Sequence, residues 1–259
     1  MFSRIGTYPA VGMFTKAHII SVLVCVALIV TALIFTKKMN SKQYIIMLRV
    51  FAVLVTLMEI LKIGWSISMG YIDYDSIVPL YFCSLYIYAL WLSYSKNKNL
   101  REAGLAYIAF AGIIAGLVFI VCPTTSFTVF PIFHFRCIHS MLFHSMMVYS
   151  GVMLFITKAV KINLKLVLKY VFFCMFFMSI ALILNVLMQT NFMFLANPNK
   201  IPLAFLGEVY HLSQSLYTIT IVIAHMLLGI VVYGICKFLE LFGIKIIDET
   251  EVVEEDNNN

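Results

Sequence analysis

Long apolar runs separated by short polar connections recur along the whole chain. A helix needs about 20 apolar residues to cross the hydrocarbon core of a membrane, and several runs meet or approach that length. The pattern predicts spanning helices at 17–36, 44–69, 77–95, 102–121, 136–157, 166–189 and 209–236. We therefore predict an all-α, polytopic membrane protein whose transmembrane domain, 17–245, is a bundle of about seven helices.

The two ends of the chain fall outside this pattern. Residues 1–16 contain Arg4 and Lys16 with glycine and proline between them, so they are too polar to span and are predicted to lie at the membrane interface. Residues 246–259 are acidic and lack apolar periodicity. That composition predicts a solvated, disordered tail.

Positive charge alternates between the connections and predicts the topology. Lysine and arginine concentrate in the first, third and fifth connections, as Lys37, Lys38 and Lys42, then Lys96, Lys98 and Arg101, then Lys158, Lys161, Lys165 and Lys169. The second connection contains Asp73 and Asp75, and the fourth has no charge. Cytoplasmic connections carry the excess of lysine and arginine, so the N-terminus is predicted outside. The C-terminus, which follows Lys237 and Lys245, is predicted inside.

Composition supports the membrane class. With 63% hydrophobic and 12% charged residues, and a mean hydropathy of +0.99, the chain cannot be an ordinary soluble domain. The net charge of +6 comes from lysines spread among the connections rather than gathered in one patch. We therefore predict membrane phospholipids as partners and no nucleic acid. The predicted location is the cell membrane, with multiple passes, and the sequence makes no prediction of the oligomeric state.

The cysteine and histidine spacings do not match a metal site or a disulfide scaffold. The six cysteines are scattered without CxxC spacing. His139 and His144 are five residues apart, which separates them by about 140° around a helix, so they cannot both face one ion. We predict no metal and no cofactor. A disulfide between two of Cys83, Cys122 and Cys137, which fall near the same predicted outer face, is an alternative to a free thiol.

The stretch Ile77–Leu92 is predicted to be a helix that begins at Pro79, because proline is tolerated in the first turn. Cys83 then lies near the helix N-terminus, where partial positive charge favours a thiolate and makes the cysteine more nucleophilic. The alternative is that Cys83 is a small hydrophobic residue packed in the bundle.

Polar residues inside the predicted spans cluster in their outer halves. They are Glu59 and Lys62 of the second span, Arg136, His139 and His144 of the fifth, Asn185 and Gln189 of the sixth, and His211 and Gln214 of the seventh. Charged groups at membrane depth are costly and mark functional sites, so we predict a cavity that opens toward the extracytoplasmic leaflet. His144, the deepest of its group, is the best candidate for a general base. A structural ion pair of Glu59 with Lys62, and a hydrogen-bonded interhelical His144, are the alternatives.

Four motifs follow one another along the chain: VPLYFCSL, KNKNLREAGLAYIAFAG, FPIFHFRCIHSMLFHS and TNFMFLANP. In order and spacing they resemble the YwaF-like family of bacterial integral membrane proteins, which is distantly related to the eukaryotic transmembrane protein 164 acyltransferases. The resemblance covers roughly residues 44–235 and implies thiol-dependent acyl transfer between phospholipids. The family's cysteine falls on Cys83 and its histidine on His144. Tyr81 stands where the bacterial pattern usually has a histidine, and Leu80 where the eukaryotic enzymes have their cysteine.

The preferred functional hypothesis is a membrane acyltransferase. Cys83 would attack an acyl ester of a phospholipid and His144 would take the thiol proton. The remaining predicted substrate-binding residues are Arg136 and Lys62 for the phosphate, Asn185 or Asn191 for the oxyanion, and Tyr81, Glu59, His139 and His211. The alternative is a transporter or a binding protein for a small polar solute, in which Glu59 and Lys62 would be coupling or substrate residues.

Overall fold

A computed structural model describes residues 1–199 and 201–243, and in that part of the chain the regular structure is entirely helical. The α-helices are α1 Lys16–Thr36, α2 Ser41–Ser68, α3 Tyr74–Ile77, α4 Leu85–Leu92, α5 Lys98–Tyr107, α6 Ile113–Val121, α7 Phe135–Thr157, α8 Leu164–Met188, α9 Ala204–Leu212 and α10 Gln214–Glu240. A π-helical turn, Ile108–Gly112, joins α5 to α6, and a short 3₁₀ helix, Phe192–Phe194, follows α8. Lys200, Lys245 and the predicted acidic tail lie outside the described residues.

Six helices within the described residues are long and apolar enough to cross a membrane. They are α1, α2, the continuous α5–α6 helix from Lys98 to Val121, α7, α8 and α10. The prediction of an all-helical, multi-pass membrane protein is confirmed at this level. The count of seven spans and the orientation of the termini stay predictions.

The third predicted span differs from the structure in length and starting point. Its helix, α4, begins at Leu85 rather than at Pro79, so the prediction that proline starts the helix is wrong. Val78 is extended, with φ −83° and ψ 119°, because the proline ring excludes the residue before it from the helical region. Cys83 therefore lies in the turn before α4.

The seventh predicted span is divided near its start. Ser213 is extended, with φ −166° and ψ 125°, and separates α9 from α10. Its hydroxyl accepts a hydrogen bond from the amide of Leu216 at 3.3 Å, which caps α10. His211 consequently belongs to the short helix α9 and not to the spanning helix.

Side-chain caps explain where the long helices begin. Asn40 and Gln43 form a reciprocal capping box at the start of α2, with both hydrogen bonds at 3.0 Å. Thr15 accepts from the amide of His18 at α1, and Asn163 from that of Leu166 at α8. These polar residues satisfy amides that the helices leave unpaired.

Helix α7 is the centre of the bundle, in contact with α1, α2, α6 and the π-helical turn. Glycines allow this close approach: a Cβ at Gly116 would lie 2.9 Å from the carbonyl oxygen of His144, and one at Gly151 would lie 3.0 Å from that of Ile108. The hydroxyl of Tyr44 donates to the carbonyl of Ser150 at 2.8 Å. Spanning helices are surrounded by lipid, so burial of apolar surface from water does not hold them together. Close packing at small residues and interhelical hydrogen bonds stabilise the bundle instead.

The lysine-rich connections meet at one end of the bundle. The hydroxyl of Ser41 donates to the carbonyl of Thr157 at 2.8 Å, which joins the first connection to the fifth. Lys169 donates to Asn99 at 3.1 Å, which joins the fifth to the third. The structure thus groups the positive charge as the topology prediction requires, while the assignment of that end to the cytoplasm stays a prediction.

The N-terminal segment lies across the opposite end. The amides of Val11 and Gly12 donate to the carbonyls of Phe130 and Phe127, at 3.0 and 2.8 Å. His134 contacts the Ser3 carbonyl through Nε2 at 3.0 Å. Residues of the segment are therefore bound to the connection between α6 and α7, and their predicted position at the membrane interface remains untested.

Candidate functional site

A polar cavity of about 540 Å³ opens at the end of the bundle opposite the lysine-rich connections. The ends of α2, α6 and α8, the start of α7 and the connection before α4 surround it. The predicted residues that line it are Glu59, Lys62, Tyr81, Cys83, Arg136, His139 and His144. The structure therefore brings the predicted nucleophile, the predicted base and the predicted phosphate ligands to one cavity.

Three predicted residues do not line this cavity. The side chain of Asn185 bonds the backbone of Phe192, and that of Asn191 bonds Ala196 and Asn197, so both hold the turn after α8. His211 is exposed on α9. The amides of Asn185 and Asn191 are already occupied, which leaves them unsuited to the oxyanion role.

His144 has the hydrogen-bonding pattern of a neutral imidazole with a free lone pair. Its Nδ1 lies 2.7 Å from the carbonyl oxygen of Ser140. A carbonyl oxygen only accepts, so Nδ1 carries a proton, and we assign the neutral ring, in which Nε2 holds the lone pair. Among the described residues, buried Nε2 has no hydrogen-bond partner. The ring stacks on Phe119 with centroids 3.7 Å apart, which holds the imidazole in place.

Cys83 is a free, half-buried thiol in the turn before α4. Neighbouring Phe82 fixes this turn, because its carbonyl accepts a short hydrogen bond from the buried hydroxyl of Tyr107, and its ring packs 4.1 Å from that of His225. Burial raises the pKa of the Cys83 thiol to about 12. Desolvation thus opposes the effect of the helix N-terminus, which was expected to favour the thiolate, and the reactivity of Cys83 stays a prediction. A base is needed to take the thiol proton.

Alkylation of Cys83 should report this raised pKa. Only the thiolate reacts, so the rate with a small maleimide is expected to rise about tenfold per pH unit from pH 7 to 10 without reaching a plateau. Peptide-resolved mass spectrometry after timed labelling of the folded protein measures that rate, with Cys83→Ser as the blank. A plateau below pH 9 would contradict the raised pKa.

Cys83 forms no disulfide with another cysteine in the structure. All six cysteines are free and all lie within the described residues, so the disulfide alternative is not seen in the structure. Cys137 is buried, with its sulfur 3.7 Å from the Phe130 carbonyl and 3.8 Å from that of Ser126.

Charged groups line the side of the cavity formed by α2 and α7. Glu59 and Lys62 form a largely buried ion pair one turn apart on α2. His139 Nε2 lies 3.9 Å from the second Glu59 oxygen. No group of three or more potential metal ligands occurs among the described residues. The arrangement is suited to holding a polar or anionic group.

Arg136 is oriented by neutral partners. Its guanidinium donates to the Ser66 hydroxyl at 3.2 Å and lies over the rings of Trp65 and Phe130, at 5.7 and 5.6 Å. The hydrogen bond to Ser66 uses one of the five N–H donors of the guanidinium. Arginine presents these donors in a fork that matches phosphate geometry, so Arg136 is suited to bind one.

Tyr81 lines the same cavity as Cys83 and carries a hydroxyl. Its ring packs against Phe194, with centroids 5.5 Å apart. Burial and the carboxylate of Asp75 raise the pKa of Tyr81 above its usual value, so the phenol stays protonated and acts as a donor. This chemistry differs from that of the histidine in the bacterial pattern, which is able to accept a proton.

Several residues of the site are not among those predicted from the sequence. Ser140 lies one turn before His144, and that spacing was an available signal for the bond to its ring. Phe119 and Tyr107 lie on another helix, and no local pattern connects them to His144 or Cys83. Ser84, next to Cys83, also lines the cavity.

These features define a multi-pass helical membrane protein with a buried polar cavity that holds a cysteine and an unpaired histidine nitrogen. The TMEM164 family model matches residues 13–229, which covers most of the chain. The protein belongs to the TMEM164 family. Neither the curated proteins nor the solved structures gave a match. The relation to transmembrane protein 164 is thereby confirmed, and the closer resemblance to YwaF-like proteins stays a prediction.

Proposed function

We propose that this protein is an acyltransferase that moves a fatty acyl chain between phospholipids through a thioester on Cys83. One observation carries the proposal: Cys83 and His144 line the same cavity, and the Nε2 atom of His144 lacks a hydrogen-bond partner in the described structure. An unpaired buried acceptor in the same cavity as a protonated thiol supports the pairing of a general base with a nucleophile. The YwaF-like pattern, in which the corresponding positions are a cysteine and a histidine, agrees with it.

In the first half-reaction the acyl group moves to the enzyme. His144 Nε2 takes the proton of the Cys83 thiol, and the sulfur attacks the ester carbonyl carbon of a phospholipid. The C–S bond forms and the ester C–O bond breaks. The departing lysophospholipid oxygen receives the proton from His144, which returns the imidazole to its neutral form.

In the second half-reaction a different lysophospholipid accepts the acyl group. His144 takes the proton of its hydroxyl, and the oxygen attacks the thioester carbonyl. The C–S bond breaks, and the sulfur recovers a proton from His144. No oxidant, metal or nucleotide is needed, because an ester is exchanged for an ester.

The cavity walls supply the binding groups. Arg136, with Lys62, would hold the phosphate of the phospholipid headgroup. The hydroxyls of Tyr81 and Ser84, which line the cavity beside Cys83, would donate to the oxyanion, in place of the predicted Asn185 and Asn191. With the lysine-rich connections at the opposite end, we place this cavity on the extracytoplasmic side of the cell membrane.

The experiment that tests the proposal is mass spectrometry of the protein purified with its native lipids. We expect an acyl mass on the peptide that contains Cys83, removed by hydroxylamine, which cleaves thioesters. The Cys83→Ser variant should lack the hydroxylamine-labile mass. His144→Ala should lose most of it, because the thiol would keep its proton. An unmodified Cys83 that stays inert to phospholipids would overturn the proposal.

A second candidate function rests on the buried Glu59 carboxylate, which contacts both Lys62 and His139 in the cavity. Such a cluster is suited to bind a small polar solute or to carry a proton during transport. In that case Glu59→Gln would abolish a proton-dependent uptake, while Cys83→Ala would leave uptake intact. Uptake of radiolabelled solutes into proteoliposomes, with an imposed pH gradient, distinguishes the two functions.

A further inference from the structure

A second concave surface lies between α4, α5 and α8, at the end of the bundle opposite the polar cavity. It encloses about 840 Å³ and shares no lining residue with that cavity. Its wall is mainly apolar and rich in aromatic side chains, namely Tyr88 and Trp91 of α4 and Phe172, Phe173, Phe176 and Phe177 of α8. Phe172 and Phe176 are 72% and 63% exposed, so the groove opens to the side of the bundle, where lipid lies.

One end of this groove is polar and positively charged. Asn99, Lys165 and Lys169 line it there. Lys165 and Lys169 are one turn apart on the same face of α8. Lys169 pairs with Glu102 and donates to Asn99 at 3.1 Å, which ties α8 to α5 across the groove's end.

Further cations lie next to this end. The connections that flank the groove carry Lys96 and Lys98 on one side and Lys158 and Lys161 on the other, and all four are exposed. A groove that is aromatic along its length and cationic at one end matches an amphiphile with an acidic head. Its volume is within the range of roughly 300–1,000 Å³ found for ligand sites.

We propose that an anionic phospholipid occupies this groove, with an acyl chain along the phenylalanine wall of α8 and its phosphate at Lys165 and Lys169. Basic pockets between spanning helices at their cationic ends bind such headgroups, because each lysine near the membrane surface adds electrostatic attraction. A zwitterionic lipid has no net charge, so its headgroup is attracted less strongly by these lysines. This site is separate from the cavity of the proposed acyl transfer and does not depend on its chemistry.

Native mass spectrometry of the full chain in detergent tests this site. The protein is incubated with phosphatidylglycerol or with phosphatidylcholine of the same acyl chains. We expect phosphatidylglycerol to be retained about tenfold better. The double variant Lys165→Gln and Lys169→Gln should lose most of that preference. The matched pair Lys37→Gln and Lys38→Gln, exposed in the first connection, which does not flank the groove, should change retention less than twofold.

Filling the groove gives a second test. Ala103 lines it on α5, and Ala103→Phe should lower retention of both lipids about tenfold. Leu168→Trp, on the exposed wall, serves the same purpose if Ala103→Phe fails to fold. Equal retention of the two lipids, or a preference that survives the double lysine variant, would overturn the proposal. So would a dimer that occupies this face in place of lipid.

The lipid measurements are repeated with Cys83→Ala. Retention at the groove should be unchanged in that variant even though the proposed acyl transfer would be lost. Failure of the groove site and failure of the acyltransferase proposal are thereby separate results.

Discussion

Replacement of Cys83 with alanine is expected to lower acyl transfer by a factor on the order of 10³ or more, because no other group in the cavity would form the thioester. Folding should survive, since the thiol is half-buried and alanine is slightly smaller. The assay follows transfer of a labelled acyl chain from a phospholipid to a lysophospholipid in proteoliposomes. Melting temperature in detergent reports the fold.

The matched control for this experiment is Cys122→Ala. Cys122 is also partly buried and also free, but it does not line the cavity. We expect it to retain full activity. Full activity of Cys83→Ala on every lipid that the wild type modifies would remove Cys83 from the mechanism and favour the solute-binding function.

Substitution of Gly104 with alanine is expected to give the largest loss of stability from a single methyl group. Helices α4 and α5 approach so closely there that a Cβ would lie 2.5 Å from the carbonyl oxygen of Ala89 and 3.0 Å from the amide nitrogen of Ser93. Both atoms are backbone, so no rotamer change relieves the overlap. We expect a loss of about 1–3 kcal/mol in the free energy of unfolding, and a melting temperature about 5 °C lower or more.

Gly64→Ala is the control for this prediction. Gly64 is exposed in the spanning helix α2, and a Cβ there would meet nothing within 4 Å. Alanine is favoured over glycine in a helix by up to about 1 kcal/mol, so stability should be unchanged or increased. Equal melting temperatures for the two variants would show that α4 moves easily away from α5.

Length and hydropathy were sufficient to predict most of the bundle. The predicted spans 17–36, 136–157 and 166–189 agree with α1, α7 and α8 to within a few residues. A long apolar run in a membrane forms a helix because its backbone hydrogen bonds must be made within the chain. The prediction for 77–95 was wrong about where its helix begins. An apolar run does not reveal where the backbone enters the helix, and an extended Val78 is equally compatible with a helix that begins at Pro79.

The candidate site was predictable in its charges but not in its hydrogen bonds. Charge at membrane depth is costly, which favours the gathering of Glu59, Lys62 and Arg136 in one polar cavity. Asn185 and Asn191 were misassigned because an amide serves a backbone turn as well as a substrate. Only the tertiary structure distinguishes these two uses.

The contacts of the N-terminal segment impose an order on assembly. Ser3, Val11 and Gly12 are synthesised more than a hundred residues before their partners His134, Phe130 and Phe127. The N-terminal segment therefore lacks these hydrogen-bond partners while the intervening helices enter the membrane. Closure of this end of the bundle is then a late step in biogenesis, because it follows synthesis of the connection between α6 and α7.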